Sequence, residues 1–201
     1  MKPTTLTRRD SVKQLFWMGP AMMTAVSPRA AAQGVGQLGA IEKPALVAFL
    51  SRSGNTRVVA GQISRALGAE LFEIETADPY PLDYRQTVEQ AAQETRSGFE
   101  PPLKAAVSGI ERFRTVFLGF PIWGMTAPPP IRSFLTRHPL AGQTIIPFIT
   151  HGGYGIGRSL DALAEAAPRA RLAPGFVMQA DQERDTLERV TRWLGSAPQS
   201  S

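Results

Sequence analysis

Cysteine is absent from this chain of 201 residues, which removes disulfides, thiolate metal centres, cysteine nucleophiles and cysteine-based phosphatases together. Histidine is nearly absent as well. His138 and His151 stand 13 residues apart, too few for a zinc or di-iron site, so no metal ligand set is expected. Internal repeats and low-complexity tracts are also missing. What remains is 43% hydrophobic residues with 18 Gly and 17 Pro, the composition of one globular domain with room for a core.

An excess of acid is lacking too, and the formal net charge of +5 invites a nucleic-acid partner. The location of the charge removes that partner. Residues 1–32 hold Lys2, Arg8, Arg9, Lys13 and Arg29 against Asp10 alone, so the rest of the chain is left at only +1. A nearly neutral body offers no footprint for a polyanion.

Those first residues read as an address. Thr7-Arg8-Arg9-Asp10-Ser11-Val12-Lys13 precedes a mildly apolar run from Leu15 to Val26 and then Ala30-Ala31-Ala32, the order of a bacterial export signal. Gly19 and Pro20 interrupt the run, which is too short to stay in a bilayer as a helix, so no stable membrane span is expected in the mature form. The segment resembles a twin-arginine signal with Arg8 and Arg9 as the pair. Ser11 and Val12 depart from the Phe and Leu of that pattern. The resemblance implies export of an already folded protein to the periplasm. The expected organisation is a signal over 1–32, a flexible lead-in over 33–43, one domain over 44–196 and a tail over 197–201.

From Pro44 onward, strands and helices alternate. Apolar runs predict strands over Ala45–Leu50, Glu70–Glu75, Thr115–Phe120, Thr144–Thr150 and Leu172–Met178. Helical periodicity predicts helices over Thr56–Leu67, Tyr84–Arg96, Pro128 to before Pro139, Gly157–Ala167 and Gln182–Leu194. Val58, Val59, Ile63, Ala66 and Leu67 mark the inner side of the first helix, and Leu187, Val190, Trp193 and Leu194 that of the last. Tyr80, Tyr84 and Trp193 read as packing aromatics. The alternation predicts an α/β doubly wound parallel sheet with ligands at the carboxyl ends of its strands.

Three of those ends carry unusual loops. Ser51-Arg52-Ser53-Gly54-Asn55-Thr56 offers three hydroxyls, an amide and the free N–H groups of a helix start, a setting for a phosphate. Gly119 to Pro128 contains Pro121-Ile122-Trp123-Gly124, and Thr150 to Gly157 contains His151-Gly152-Gly153-Tyr154. An aromatic beside glycines can sandwich a flat ring while backbone approaches its edge. The third loop fits G-x-G-x-x-G in no register, and the first has no Lys, which excludes a dinucleotide fingerprint and a P-loop enzyme.

Ser-x-Ser-Gly-Asn-Thr, Gly-Phe-Pro-Ile-Trp and Thr-His-Gly-Gly-Tyr-Gly-Ile-Gly, in that order, resemble the three FMN-binding loops of the flavodoxin-like family. The resemblance spans Pro44 to Leu194 and implies a five-stranded parallel sheet of order 2-1-3-4-5 flanked by helices. It implies that Ser51, Ser53, Gly54, Asn55 and Thr56 hold the FMN phosphate, with Arg52 nearby. Pro121, Ile122, Trp123 and Gly124 would line one side of the isoalloxazine, and His151, Gly152, Gly153 and Tyr154 the other.

Two departures from the family carry information. Gly124 and Met125 stand where many relatives have Trp-Gly. Trp123-Gly124 instead resembles the step of small electron-carrier flavodoxins whose backbone carbonyl turns toward reduced flavin N5, a turn that glycine permits. No acid lies between Gly119 and Thr126 or between Thr150 and Arg158, while Arg52, His151 and Arg158 lie nearby. A favourable charge about 8 Å away contributes roughly 2 kcal/mol at an effective dielectric of about 20, before salt screening. A flavin potential less negative than that of an acidic carrier is expected.

The function implied is electron transfer with a redox partner protein or a quinone-like small molecule. An NAD(P)H:quinone oxidoreductase is the enzyme alternative, and a flavin-free binding module is the alternative outside redox chemistry. His151 is the one candidate for acid–base work, or a histidine that orients its own loop.

Overall fold

The computed structural model describes residues 40–179 and 183–196, the side chains of 183–188 excepted. The export signal, most of the lead-in, the tail and the face assignment of Leu187 lie outside the described residues. In chain order the elements are β1 (Ala45–Phe49), α1 (Asn55–Leu67), β2 (Glu70–Glu73), α2 (Tyr84–Ser97), β3 (Thr115–Pro121), α3 (Pro129–Arg137), β4 (Thr144–His151), α4 (Ser159–Ala166), β5 (Arg171–Leu172), β6 (Phe176–Gln179) and α5 (Glu183–Gly195). Among the described residues, no helix is long and apolar enough to cross a membrane.

All strands pair in parallel, in the order β2-β1-β3-β4-β5, with β6 also on β4. The last expected strand is thus two short ones sharing one edge of β4. Pro147 of β4 explains the split. Its carbonyl faces the β5–β6 edge, where a Cβ on Gly175 would lie 2.1 Å away, and proline has no N–H to donate there. Pairing stops after Ile145↔Leu172 and resumes at Phe148↔Phe176.

The central strands are apolar throughout because both faces are covered. Leu46, Ala48, Val116, Leu118 and Phe120 share one core with Ile131 and Phe134 of α3 and Leu163 of α4. Val47, Phe49, Phe117, Ile146 and Phe148 share the other with Val59, Ala60 and Ile63 of α1 and Val190 and Trp193 of α5. Val59 and Ile63 face inward as expected, joined by Ala60, while Val58 and Ala66, expected on the same side, are exposed. Gly119 pairs in register with Phe148. A Cβ there would fall 2.0 Å from the Phe148 ring, which occupies that space.

Candidate functional site

β1 delivers the first loop. Leu50 N–H bonds Gly119 O at 2.8 Å, and the chain turns at once into α1. Ser51 Oγ accepts from the N–H groups of Gly54 at 3.2 Å and Arg57 at 3.3 Å. Gly54 is the N-cap at φ +94° and contributes no side-chain cap, and the first turn carries no acid. The positive end of the helix dipole therefore opens toward neutral donors, an arrangement that suits a phosphate-type anion. Thr56 is buried, and its hydroxyl shares a 2.9 Å hydrogen bond with that of Thr150 at the end of β4.

Arg52 does not join this group. Its Nη2 donates to Leu82 O at 2.9 Å, and its guanidinium lies 5.3 Å from the centre of the Tyr84 ring. Tyr84, expected as a packing aromatic, is exposed and serves as the platform for Arg52. Both placements have one cause: the segment before α2 folds back against the first loop.

The second and third loops are joined to each other. Ile122 N–H bonds Thr150 O at 3.0 Å. Trp123 and Thr126 exchange backbone hydrogen bonds of 3.2 and 3.3 Å around Gly124 (φ +58°) and Met125 (φ +65°), a two-residue turn with both central residues left-handed, as in type I′. Met125 adopts this conformation without being glycine, at a cost of about 1–2 kcal/mol. Arg158 N–H holds the Met125 carbonyl at 2.9 Å. The approach requires Gly157, where a Cβ would sit 2.0 Å from Met125 O. Gly124 is thus part of a braced turn, and its own carbonyl enters none of these bonds.

His151 is buried, and its Nδ1 accepts from Gly153 N–H at 3.1 Å and Gly155 N–H at 3.4 Å. Burial lowers its pKa, so the ring is neutral at neutral pH, with its proton on Nε2. His151 shapes the third loop and adds no positive charge to it. Arg158 is largely exposed beside Asp161 at 4.0 Å and Glu165 at 3.8 Å. These facts narrow the rise in flavin potential expected from the loops alone. Gly152, Gly153 and Tyr154 are exposed.

Two cavities flank the loops. One, of about 420 Å³, is lined by Leu50, Ser51, Arg52, Tyr80, Leu82 and Trp123 among others. The other, of about 850 Å³, runs between α3 and α4 and brings Gly124 and Met125 against Gly157 and Arg158. His151 to Tyr154 line neither. At Gly54, Gly124 and Gly152 an added Cβ would meet nothing within 4 Å, so each of the three loops has open space at its glycine.

Tyr80, expected as a packing aromatic, does pack against the core, and it also reaches the second loop. Its ring meets Trp123 edge-on, with centroids 4.9 Å apart and planes at 67°, and its hydroxyl donates to the Glu94 carboxylate. Burial raises the Tyr80 pKa, and the bond to Glu94 adds to the effect. The signal available was Pro79-Tyr80-Pro81 at the carboxyl end of β2, the sheet edge that carries the other loops.

A sequence profile described as flavodoxin matches residues 44–196. A candidate flavoprotein from Bacteroides eggerthii DSM 20697 is 31% identical, with 75% of this chain and 95% of that one covered and a TM-score of 0.65. Another, from Bacteroides uniformis ATCC 8492, is 26% identical, with 77% and 99% covered and a TM-score of 0.64. A flavoprotein of Lactobacillus acidophilus NCFM, solved in complex with FMN, shares the fold at 20% identity, with 73% and 99% covered and a TM-score of 0.62. No curated protein sequence matches the chain.

Proposed function

This chain belongs to the flavodoxin family, and from that premise we propose that it is an exported protein that moves electrons through FMN at the carboxyl ends of β1, β3 and β4. FMN is the cofactor, and when bound it supplies electron-transfer chemistry that no side chain here provides.

The residues fit that group. Ser51, Ser53 and Asn55, with the amides at the start of α1, would hold the phosphate. Thr56 contributes by joining the first loop to β4 through Thr150. Pro121, Ile122, Trp123 and Gly124 would line one side of the ring, and Gly152, Gly153 and Tyr154 the other. His151 would keep its Nδ1 on the third loop's own amides and orient that backbone.

The observation that carries the reading is this use of His151. His151 keeps its Nδ1 on the amides of its own loop, which holds the third loop in a shape suited to position a redox group. The 420 Å³ cavity beside Trp123 favours a second reading, direct reduction of a small quinone-like acceptor. Residues 1–32 would direct export along the twin-arginine route, and a redox partner or quinone would be met in the periplasm.

The test is to express the full chain in a bacterium, purify it from the periplasm and record the visible spectrum before and after acid release. Oxidised-flavin bands with about one FMN per chain support both cofactor and export. Anaerobic mixing with NAD(P)H and a quinone then separates carrier from reductase. A protein that stays colourless after incubation with FMN would promote the binding-module alternative.

A further inference from the structure

The Tyr80 hydroxyl, the buried Glu94 carboxylate and the Trp123 indole form a connected series from the inner face of α2 to the second loop. Glu94 is 8% exposed, and both its oxygens are used: Oε1 accepts from Gln90 Nε2 at 2.8 Å, and Oε2 from Tyr80. Burying a carboxylate on a helix costs stability that an apolar side chain of similar volume would not. A need for packing alone therefore does not account for it. What the carboxylate adds is direction, because it anchors the hydroxyl end of a tyrosine whose ring packs at a steep angle on Trp123.

The backbone around Tyr80 is restricted in the same sense. Pro81 restricts Tyr80 to extended backbone, Pro79 fixes its own φ just before it, and the Pro81 carbonyl accepts from the Thr87 hydroxyl at 2.8 Å. The Tyr80 ring and Trp123 then share a wall of the 420 Å³ cavity with Ser51. The brace reaches the loops from the β2–α2 side, which none of the three loop sequences includes.

We propose that Tyr80 and Glu94 are positioning residues for the flavin: Glu94 orients Tyr80, Tyr80 packs on the buried Trp123, and Trp123 thereby fixes the second loop on which the ring half of FMN would lie. The proposal rests on the FMN reading above. It assigns the pair to the ring and leaves the phosphate to the first loop.

The test uses the full-length chain stripped of flavin, with the variants Y80F, Y80A, E94Q and Y80F/E94Q. FMN, riboflavin and inorganic phosphate are titrated separately, and the visible spectrum of bound flavin is recorded. Y80A is expected to weaken FMN and riboflavin alike by about tenfold, the scale of a lost aromatic pair. Inorganic phosphate should bind Y80A as it binds the wild type. Y80F, which keeps the ring and loses the hydroxyl, should weaken FMN by about threefold and alter the flavin spectrum. The double variant should be no weaker than the worse of Y80F and E94Q, because the two residues act as one unit.

Y80F with unchanged flavin affinity and spectrum overturns the proposal, whether or not Y80A folds. So does an equal loss of phosphate and FMN binding, which would mark a general effect on the fold. A wild-type chain that binds no FMN defeats the flavin reading itself and the proposal with it, an outcome that differs from FMN binding insensitive to Tyr80.

Discussion

The first loop and the paired second and third loops occupy one sheet edge but are built differently. Ser51 to Asn55 make few bonds beyond the turn itself, with Ser53 exposed and Ser51 Oγ serving two amides of its own turn. The other two loops are tied together by Ile122 to Thr150, Arg158 to Met125, and His151 to the glycines that follow it. A loop that must close around an anion keeps its donors available. Loops that must present a flat wall to a ring fix their backbones beforehand, so that less order is lost on binding.

The sharpest way to break the contrast is Gly157→Ala. The new methyl would fall 2.0 Å from Met125 O, at a residue with φ +52°, so the two loops must separate. We expect about 2–4 kcal/mol of lost stability in denaturant unfolding and FMN affinity reduced more than tenfold. Equal stability for mutant and wild type would mean that the loops are not mutually braced.

Ser51→Ala probes the other side of the comparison. Loss of a cap-like acceptor should cost about 1 kcal/mol of stability, while FMN binding falls by about tenfold and riboflavin binding hardly changes. Parallel losses for the two ligands would show that the first loop does not serve the phosphate.

The pH dependence follows from His151. Its folded-state pKa lies below the ordinary value near 6.5, so the unfolded chain binds more protons and stability falls as pH drops below about 6.5. The loss grows until the lowered folded-state pKa is reached. His138, also lowered by burial and by Arg137, acts in the same direction. His151→Asn retains an acceptor for the two amides without titrating, so its melting temperature should decline less between about pH 6.5 and pH 5 than that of wild type. An identical pH profile would remove His151 from the third loop's support.

The smallest expected effect is a gain. Met125→Gly relieves a left-handed non-glycine residue and should stabilise by about 0.5–1 kcal/mol, less than the strain removed because glycine also loosens the unfolded chain. A melting temperature that falls would show that the Met125 side chain, half exposed, contributes more contact than the strain it carries.

The alternation of strands and helices, the two covered faces and the three loops were legible because each depends on local signals: an apolar run, then glycine or hydroxyl residues, then helical periodicity; the strand order followed only from the resemblance to the flavodoxin-like family. The split of the last strand was not, since Pro147 acts across the sheet on Gly175, 28 residues later in sequence. Val58 misled because apolar residues fill more of α1 than the core can cover. The particular partners of Arg52 and Tyr80 were hidden for another reason. Their partners, Leu82, Tyr84 and Glu94, are set by how the β2–α2 segment folds back, which no periodicity encodes. The turn at Met125 carries no glycine signature at its second position and was equally hidden.

Gly119 lies two residues before the end of β3, roughly 7 Å below the point where the second loop begins. The Phe148 ring that fills its missing side-chain space acts as a gauge between two rods. With the ring seated, Pro121 and Thr150 come level, and any slip of β3 along β4 would drive a side chain into the aromatic. The alignment of the two loops is therefore measured out inside the sheet, by a position whose contribution is the atoms it does not have.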